Sequence, residues 1–325
     1  MKQAERLSTL TPVMASAPSQ RLFEMARRVA ATDCTVLITG ESGTGKEIVA
    51  RYIHENSSRR TGPFVAINCA AIPENMLEAL LFGYEKGAFT GASASHQGKF
   101  EQAQSGTLLL DEVSEMPLGL QAKLLRVLQE REVERLGAAT SFCLDVRVLA
   151  TSNRNLQEEV RAGHFREDLF YRLNVFPLKV VPLRERREDI LPLAMRLLHR
   201  SCADIGRVPA IEPDAALELL RAQWRGNVRE LDNVLQRAAI LADGANIQQH
   251  HIRLDANEPA GSASFSGAAS LNTSLRETEN NLILATLRSA NGDRRRVAEQ
   301  LGISPRTLRY KIARLRTEGL EVPLA

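Results

Sequence analysis

Gly40-Glu-Ser-Gly-Thr-Gly-Lys46 is the first stretch whose residue types and spacing could do chemistry. Its glycines let backbone N–H groups turn inward without obstruction by a Cβ. A strand-like run precedes it and a helical pattern begins near Glu47, so the positive end of a helix faces the same loop. Such a loop cradles phosphate through Gly40, Glu41, Ser42, Gly43, Thr44 and Gly45. The ammonium of Lys46 reaches the β- and γ-phosphates as a point charge. The generic pattern puts Ser or Thr after the lysine as a ligand for Mg²⁺. Glu47 stands there instead, which leaves Thr44 or water for that task.

Leu108-Leu-Leu-Asp111-Glu112 places two acids at the end of an apolar run. In an open α/β sheet, ligands bind beyond the carboxyl ends of the strands. Asp111 is therefore the candidate Mg²⁺ holder, directly or through water, and Glu112 the group that polarises an attacking water. Phosphoryl transfer needs both parts, the cradle and the acids. Thr151-Ser152-Asn153 ends another such run, where a polar side chain could sense the γ-phosphate. For Asn153 alone, a turn is the plainer role.

The elements that must position these residues are also legible. Thr35–Thr39, Pro63–Asn68, Thr107–Leu110, Val146–Thr151 and Val175–Val181 read as strands. Helical patterns separate them, as in Gln121–Gln129. Apolar strands alternating with helices imply an α/β fold, a mainly parallel sheet covered on both faces. From about Arg187 the pattern is wholly helical, with apolar residues at three-to-four spacing in Ile190–His199, Pro213–Arg221 and Val228–Leu241. Ala256–Ser274 is small, polar and linker-like. The divisions expected are residues 1–186, an α/β part; 187–255, a helical part; 256–274, a flexible linker; and 275–325, a small helical unit.

Composition excludes several classes. The chain has 325 residues, with 44% hydrophobic and 25% charged, as in ordinary globular domains. No run of 18 apolar residues exists, so no membrane-spanning helix is expected. The first 20 residues lack the apolar core of a secretory signal. Cys34, Cys69, Cys143 and Cys202 form no CxxC pair, which fits a reducing, cytoplasmic setting rather than a disulfide framework or a zinc site. Charge is unevenly placed. The whole chain carries +3, yet residues 275–325 hold ten Lys/Arg against six Asp/Glu. A basic segment on a near-neutral body is a footprint for nucleic acid.

Eight ordered motifs carry a resemblance over Pro12–Leu320. They are GESGTGKE (40–47), NCAAI (68–72), LFGYEKGAFTGA (81–92), GTLLLDE (106–112), LQAKLLRVLQE (120–130), FREDLFYRLNVFPL (165–178), PLRERREDI (182–190) and WRGNVREL (224–231). With them the chain resembles the bacterial sigma-54-dependent transcriptional activators, enhancer-binding AAA+ ATPases with a P-loop fold. Glu47 is itself part of that family's pattern. The resemblance implies Lys46 as the Walker A lysine and Asp111 with Glu112 as the Walker B pair. It implies Asn68 as a switch residue restraining the catalytic glutamate, and Ser152 and Asn153 as sensor I. Arg166 and Arg172 become arginine fingers for a neighbouring subunit, and Arg229 the sensor II arginine of the lid. Gly87, Ala88, Phe89, Thr90, Gly91 and Ala92 form the loop that touches sigma-54, with Phe89 and Thr90 at its tip. Flanks of glycine and alanine pack too little to bury that Phe. ATP and Mg²⁺ are the implied cofactors. The implied partners are the sigma-54 RNA polymerase holoenzyme, double-stranded enhancer DNA and further copies of the chain in a hexameric ring. The run at 120–137 looks most like flagellar-gene activators of this family.

The basic C-terminal part reads as helix-turn-helix. Arg295–Leu301 is one helix, Gly302-Ile-Ser304 a turn, and Pro305–Leu315 a second helix with Ser304 as N-cap and Pro305 at its first position. Val297, Ala298, Leu301, Ile303, Leu308 and Ile312 supply its core. Arg294, Arg295, Arg306, Thr307, Arg309, Tyr310 and Lys311 are the candidate DNA contacts. It resembles the Fis-type domain, which binds as a dimer. Most relatives carry an N-terminal sensory domain, whereas here the ATPase pattern starts almost at once. A different AAA+ machine, such as an unfoldase or clamp loader, is disfavoured by GAFTGA. A passive repressor with a dead ATPase is disfavoured by intact Lys46, Asp111, Glu112, Arg166 and Arg172.

Overall fold

The computed structural model describes residues 12–89, 92–138, 140–202 and 208–254, all within one compact unit, Met1–Ala256. The first helix of the described residues is α1, Ala17–Ala30, capped by the Ser16 hydroxyl on the Ser19 N–H and with Pro18 in its first turn. Strand β1, Val36–Thr39, leads through the glycine loop into α2, Lys46–Glu55. Then come β2, Phe64–Asn68; α3, Glu74–Phe82; the short hairpin of β3, Gly83–Tyr84, and β4, His96–Gln97; and α4, Lys99–Gln102. Strand β5, Thr107–Asp111, precedes α5, Leu118–Glu130, and a second hairpin of β6, Glu132–Glu134, and β7, Ser141–Cys143. Strand β8, Arg147–Ser152, helices α6, Leu156–Arg161, and α7, Glu167–Leu173, and strand β9, Phe176–Lys179, complete the α/β part.

Strands β2, β5, β8, β1 and β9 form one sheet in that order, and every pairing is parallel. A parallel sheet is buried on both faces, which is why β5 reads Leu-Leu-Leu rather than alternating with polar residues. Leu108 and Leu110 pack with Leu77, Leu81 and Leu124, whereas Leu109 faces Ile38, Ile53 and Leu149 on the other side. Each of these β5 leucines is fully buried and contributes about 2 kcal/mol. The strand that delivers Asp111 is thus among the most firmly held in the molecule.

The helical part begins after β9. Its helices are α8, Ile190–Ser201, α9, Pro213–Arg221, and α10, Asn227–Leu241. They enclose a core of their own around Trp224, Leu198, Leu219, Leu231 and Leu235, and the Trp224 indole N–H donates to the Leu219 carbonyl at 2.8 Å. The start of α1 is tied to this part. The buried Asp189 carboxylate accepts from the Ser16 N–H at 2.7 Å, from the Ser16 hydroxyl at 2.9 Å, and from the Ser19 hydroxyl. Among the described residues no helix is long and apolar enough to cross a membrane.

Candidate active site

The glycine loop, Asn68, Asp111 with Glu112, and Thr151–Asn153 meet at the carboxyl edge of the sheet, because β1, β2, β5 and β8 run parallel. The glycine loop leaves β1 with left-handed backbone at Gly43 (φ 75°) and Gly45 (φ 95°), conformations that glycine adopts without a steric cost. Gly45 is the N-cap of α2, so the unpaired N–H groups of the first turn point into the loop. Lys46 is 6% exposed. Its ammonium donates to the Gly40 carbonyl at 3.0 Å and to the Glu41 carbonyl at 3.3 Å, and pairs with Glu112 Oε1 at 3.2 Å.

The acids are held individually. Asn68 and Asp111 are register partners across β2 and β5. The Asn68 amide donates to Asp111 Oδ2 at 3.0 Å, while its own carbonyl accepts from the Ala70 and Ala71 N–H groups. The resemblance implied that Asn68 restrains Glu112; in the structure it holds Asp111 instead. The register explains this, since Glu112 lies one residue beyond the pairing and turns away in a left-handed conformation (φ 54°, ψ 53°). For a non-glycine residue that backbone is strained, a state found where surrounding contacts over-determine it. Here the contacts are Lys46 on Oε1, the Asn153 N–H on Oε2 at 2.9 Å, and the Thr151 hydroxyl, which accepts from the Glu112 N–H at 2.9 Å.

Thr151 was not singled out from the sequence, yet it is central. Its hydroxyl donates to Asp111 Oδ1 at 2.5 Å, so one side chain braces both acids. Ser152 is buried, and its hydroxyl is spent on the Arg154 backbone, donating to the carbonyl at 2.9 Å and accepting from the N–H at 3.1 Å. The Thr44 hydroxyl donates to the Glu41 carbonyl at 2.8 Å. The exposed Glu47 pairs with Arg51 one turn on. Burial pushes the neighbouring Cys69 thiol up to about 12, with the charges of Asp111 and Glu112 adding to the shift. A thiol so far from ionising packs rather than reacts.

Among the described residues no cluster of three or more His, Cys, Asp or Glu side chains could cage a metal. Mg²⁺ is commonly bound through one or two carboxylates plus substrate phosphates, and Asp111 is the carboxylate placed to take it. Each Asp111 oxygen has one protein donor and keeps a free lone pair.

The helical part closes over the loop. Arg229 donates to the Ser42 hydroxyl at 3.1 Å. Glu41 lies between Arg184, at 2.5 and 2.8 Å, and Asn227, at 3.1 Å. The hydrogen bonds from Arg184 hold the Glu41 carboxyl below the usual carboxylate range, so it is a lasting anion at neutral pH. The buried Arg186 reaches the Thr44 carbonyl at 2.6 Å. Arg184 and Arg186 in PLRERREDI and Asn227 in WRGNVREL carry no local sequence signal for these contacts, because their partners lie more than 140 residues away.

Arg166 and Arg172 are placed elsewhere. Arg166 is exposed and pairs with Asp168 at 2.7 Å, while Arg172 donates to the Leu128 carbonyl at the end of α5. In the 87–92 loop, the Ala92 carbonyl accepts from the Gly87 N–H at 2.9 Å, and Phe89 is 47% exposed with its ring edge near Tyr84. Ala92 is buried and Ala88 half-buried. Thr90, Gly91 and all the candidate DNA contacts lie outside the described residues.

A phosphate loop, paired acids at a parallel sheet's edge and a helical lid define a P-loop ATPase of the AAA+ class. Residues 13–179 match the Sigma-54 interaction domain, 184–267 the AAA+ ATPase lid domain, and 274–315 the bacterial regulatory proteins of the Fis family. The chain is 55% identical over 338 residues to response regulator protein FleR of Pseudomonas aeruginosa, covering 96% of this chain and 71% of that protein. It is 48% identical over 291 residues to regulatory protein AtoC of Escherichia coli, covering 88% and 63%. The crystal structure of NtrX from Brucella abortus in complex with ADP superposes with a TM-score of 0.72 at 34% identity, over 97% of this chain and 72% of that one. The chain belongs to the sigma-54-dependent transcriptional activators and combines an AAA+ ATPase with a Fis-type DNA-binding domain.

Proposed function

We propose that the chain hydrolyses ATP in a ring of identical subunits and uses the cycle to remodel the closed complex of sigma-54 RNA polymerase into the open one. The observation that carries this reading is the joined set of Lys46, Glu112, Asp111, Thr151 and Asn68 at one sheet edge. Lys46 and the loop amides bind the phosphates. Asp111 would hold Mg²⁺, which when bound would supply charge neutralisation at the phosphates. Glu112 accepts a hydrogen bond from the water that attacks the γ-phosphorus, as the bond to ADP breaks. The phosphates compete with Glu112 for Lys46, and the acid freed by that exchange turns to the water. Asn153, beside Glu112, reports the γ-phosphate, and Arg229 reports nucleotide to the lid.

Arg166 and Arg172 act on the site of the next subunit; within the chain they meet Asp168 and the Leu128 carbonyl, which supports a role outside their own site. A trans arginine is worth about 10³–10⁵ in rate in comparable NTPases. Phe89 and Thr90 press on sigma-54, and the exposure of Phe89 supports that role. Residues 1–186 are the motor, 187–255 its lid, 256–274 a linker and 275–325 the part that grips double-stranded enhancer DNA as a dimer. Arg294, Arg295, Arg306, Thr307, Arg309, Tyr310 and Lys311 supply its contacts, some to phosphates alone. The test is transcription in vitro from a sigma-54 promoter with ATP or a non-hydrolysable analogue. Transcripts should require hydrolysis, and Thr90→Ala should keep ATP turnover while abolishing open complexes. Equal loss of both activities would contradict this division of labour.

A further inference from the structure

Asn227 is the first residue of α10, fully buried, with a left-handed backbone (φ 54°). Both ends of its carboxamide are hydrogen-bonded. Oδ1 accepts from the Leu183 N–H at 2.8 Å, and Nδ2 donates to Glu41 Oε2 at 3.1 Å and to the Ser42 carbonyl at 3.0 Å. One side chain thus joins the segment leading into the lid, the lid helix α10, and the phosphate loop. The next residue repeats the contact through the backbone, the Val228 N–H donating to the Gly43 carbonyl at 2.9 Å. The surfaces touch so closely that a Cβ on Gly43 would lie 2.4 Å from the Gly226 carbonyl oxygen.

We propose that Asn227 is a positioning residue for the ATPase, its carboxamide holding the phosphate loop and the lid in a single register. The loop amides face phosphate only while Glu41–Gly45 keeps its path. Asn227 fixes two consecutive points of that path, a side chain and a carbonyl. It also stands two residues before Arg229, so the same bonds set where that guanidinium meets Ser42. Asn227 touches no phosphate; it acts through Glu41 and Ser42. The plain alternative is that asparagine is there only because it tolerates a left-handed backbone.

Glycine tolerates that backbone better still, which separates the two explanations. In the full chain, Asn227→Gly keeps the conformation and deletes the amide. ADP affinity, by titration calorimetry, should fall about tenfold or more, as expected when a buried hydrogen bond to a charged group is lost. The KM for ATP should rise by more than kcat falls. Asn227→Asp should bind more weakly again, because it turns a carboxylate toward Glu41 and the Ser42 carbonyl. Glu41→Gln combined with Asn227→Asp should regain affinity, since the glutamine introduced at 41 can donate to the new carboxylate. Wild-type ADP affinity in Asn227→Gly overturns the proposal, as does a double variant no better than Asn227→Asp. If Asn227→Asp does not fold, Asn227→Gly alone decides. The inference rests on reading Gly40–Lys46 as the phosphate cradle; a wild-type chain that fails to bind ADP sinks that reading, whereas undiminished binding by Asn227→Gly sinks only this one.

Discussion

Thr151→Val removes one hydroxyl and preserves shape, and its effect can be worked out from the site. The hydroxyl donates to Asp111 Oδ1 and accepts from the Glu112 N–H. A hydrogen bond to a charged group is worth about 1.5–3 kcal/mol, and a buried donor left without an acceptor costs about 1–3 kcal/mol. If the charged bond is lost wholly from the transition state, kcat falls roughly tenfold to 150-fold. The assay is phosphate release at saturating ATP, alongside a thermal melt. Thr107→Val is the control. Thr107 is equally buried, on β5, and its hydroxyl pairs with His54 Nδ1 at 2.9 Å. It lies four residues before Asp111, roughly 13 Å along a strand that rises about 3.3 Å per residue. Both variants should melt several degrees lower, at about 2–4 °C per kcal/mol, but only Thr151→Val should lose turnover. Wild-type turnover in Thr151→Val, or equal loss in both, would refute the idea that this hydroxyl braces the two acids.

Further outcomes follow from the same geometry. Turnover per chain should rise with protein concentration if Arg166 and Arg172 serve a neighbour; a specific activity flat across dilution rejects the trans assignment. Mixing Arg172→Ala with Lys46→Ala should restore some turnover, because a sound site then meets a sound finger at part of the seams. Burial holds His54 below its ordinary value of 6.5, with Arg147 and Arg51 adding to the shift, so the unfolded chain binds its proton first. Stability should therefore fall as pH drops through 6.5 and level off below the folded value. Denaturant melts of His54→Asn should show that slope flattened, and an unchanged slope would remove His54 as its source.

The parallel sheet and both halves of the phosphate site were legible because their signals are local. A glycine loop between strand and helix, or a leucine run ending in two acids, needs no distant partner to be read. What was not legible depends on register or on three-dimensional neighbours. Thr151, Ser152 and Asn153 are consecutive, and only the pairing with β5 determines which hydroxyl meets Asp111. The contact Asn68 makes here follows from register too: the pairing delivers Asp111 to it, and Glu112 has already turned. Asn227 was hidden because its partners lie far away in sequence, at Leu183 and Glu41. The hairpins at Gly83–Tyr84 with His96–Gln97 and at Glu132–Glu134 with Ser141–Cys143 are too short to show a period.

The fastening of Ser16 and Ser19 to Asp189 has a mechanical corollary. Asp189 immediately precedes α8 and stands three residues after Arg186, whose guanidinium grips the Thr44 carbonyl. The start of α1 is therefore anchored three residues from the guanidinium that meets the phosphate loop. One short stretch, 186–189, thus ties both the first helix and the phosphate loop to the base of the lid.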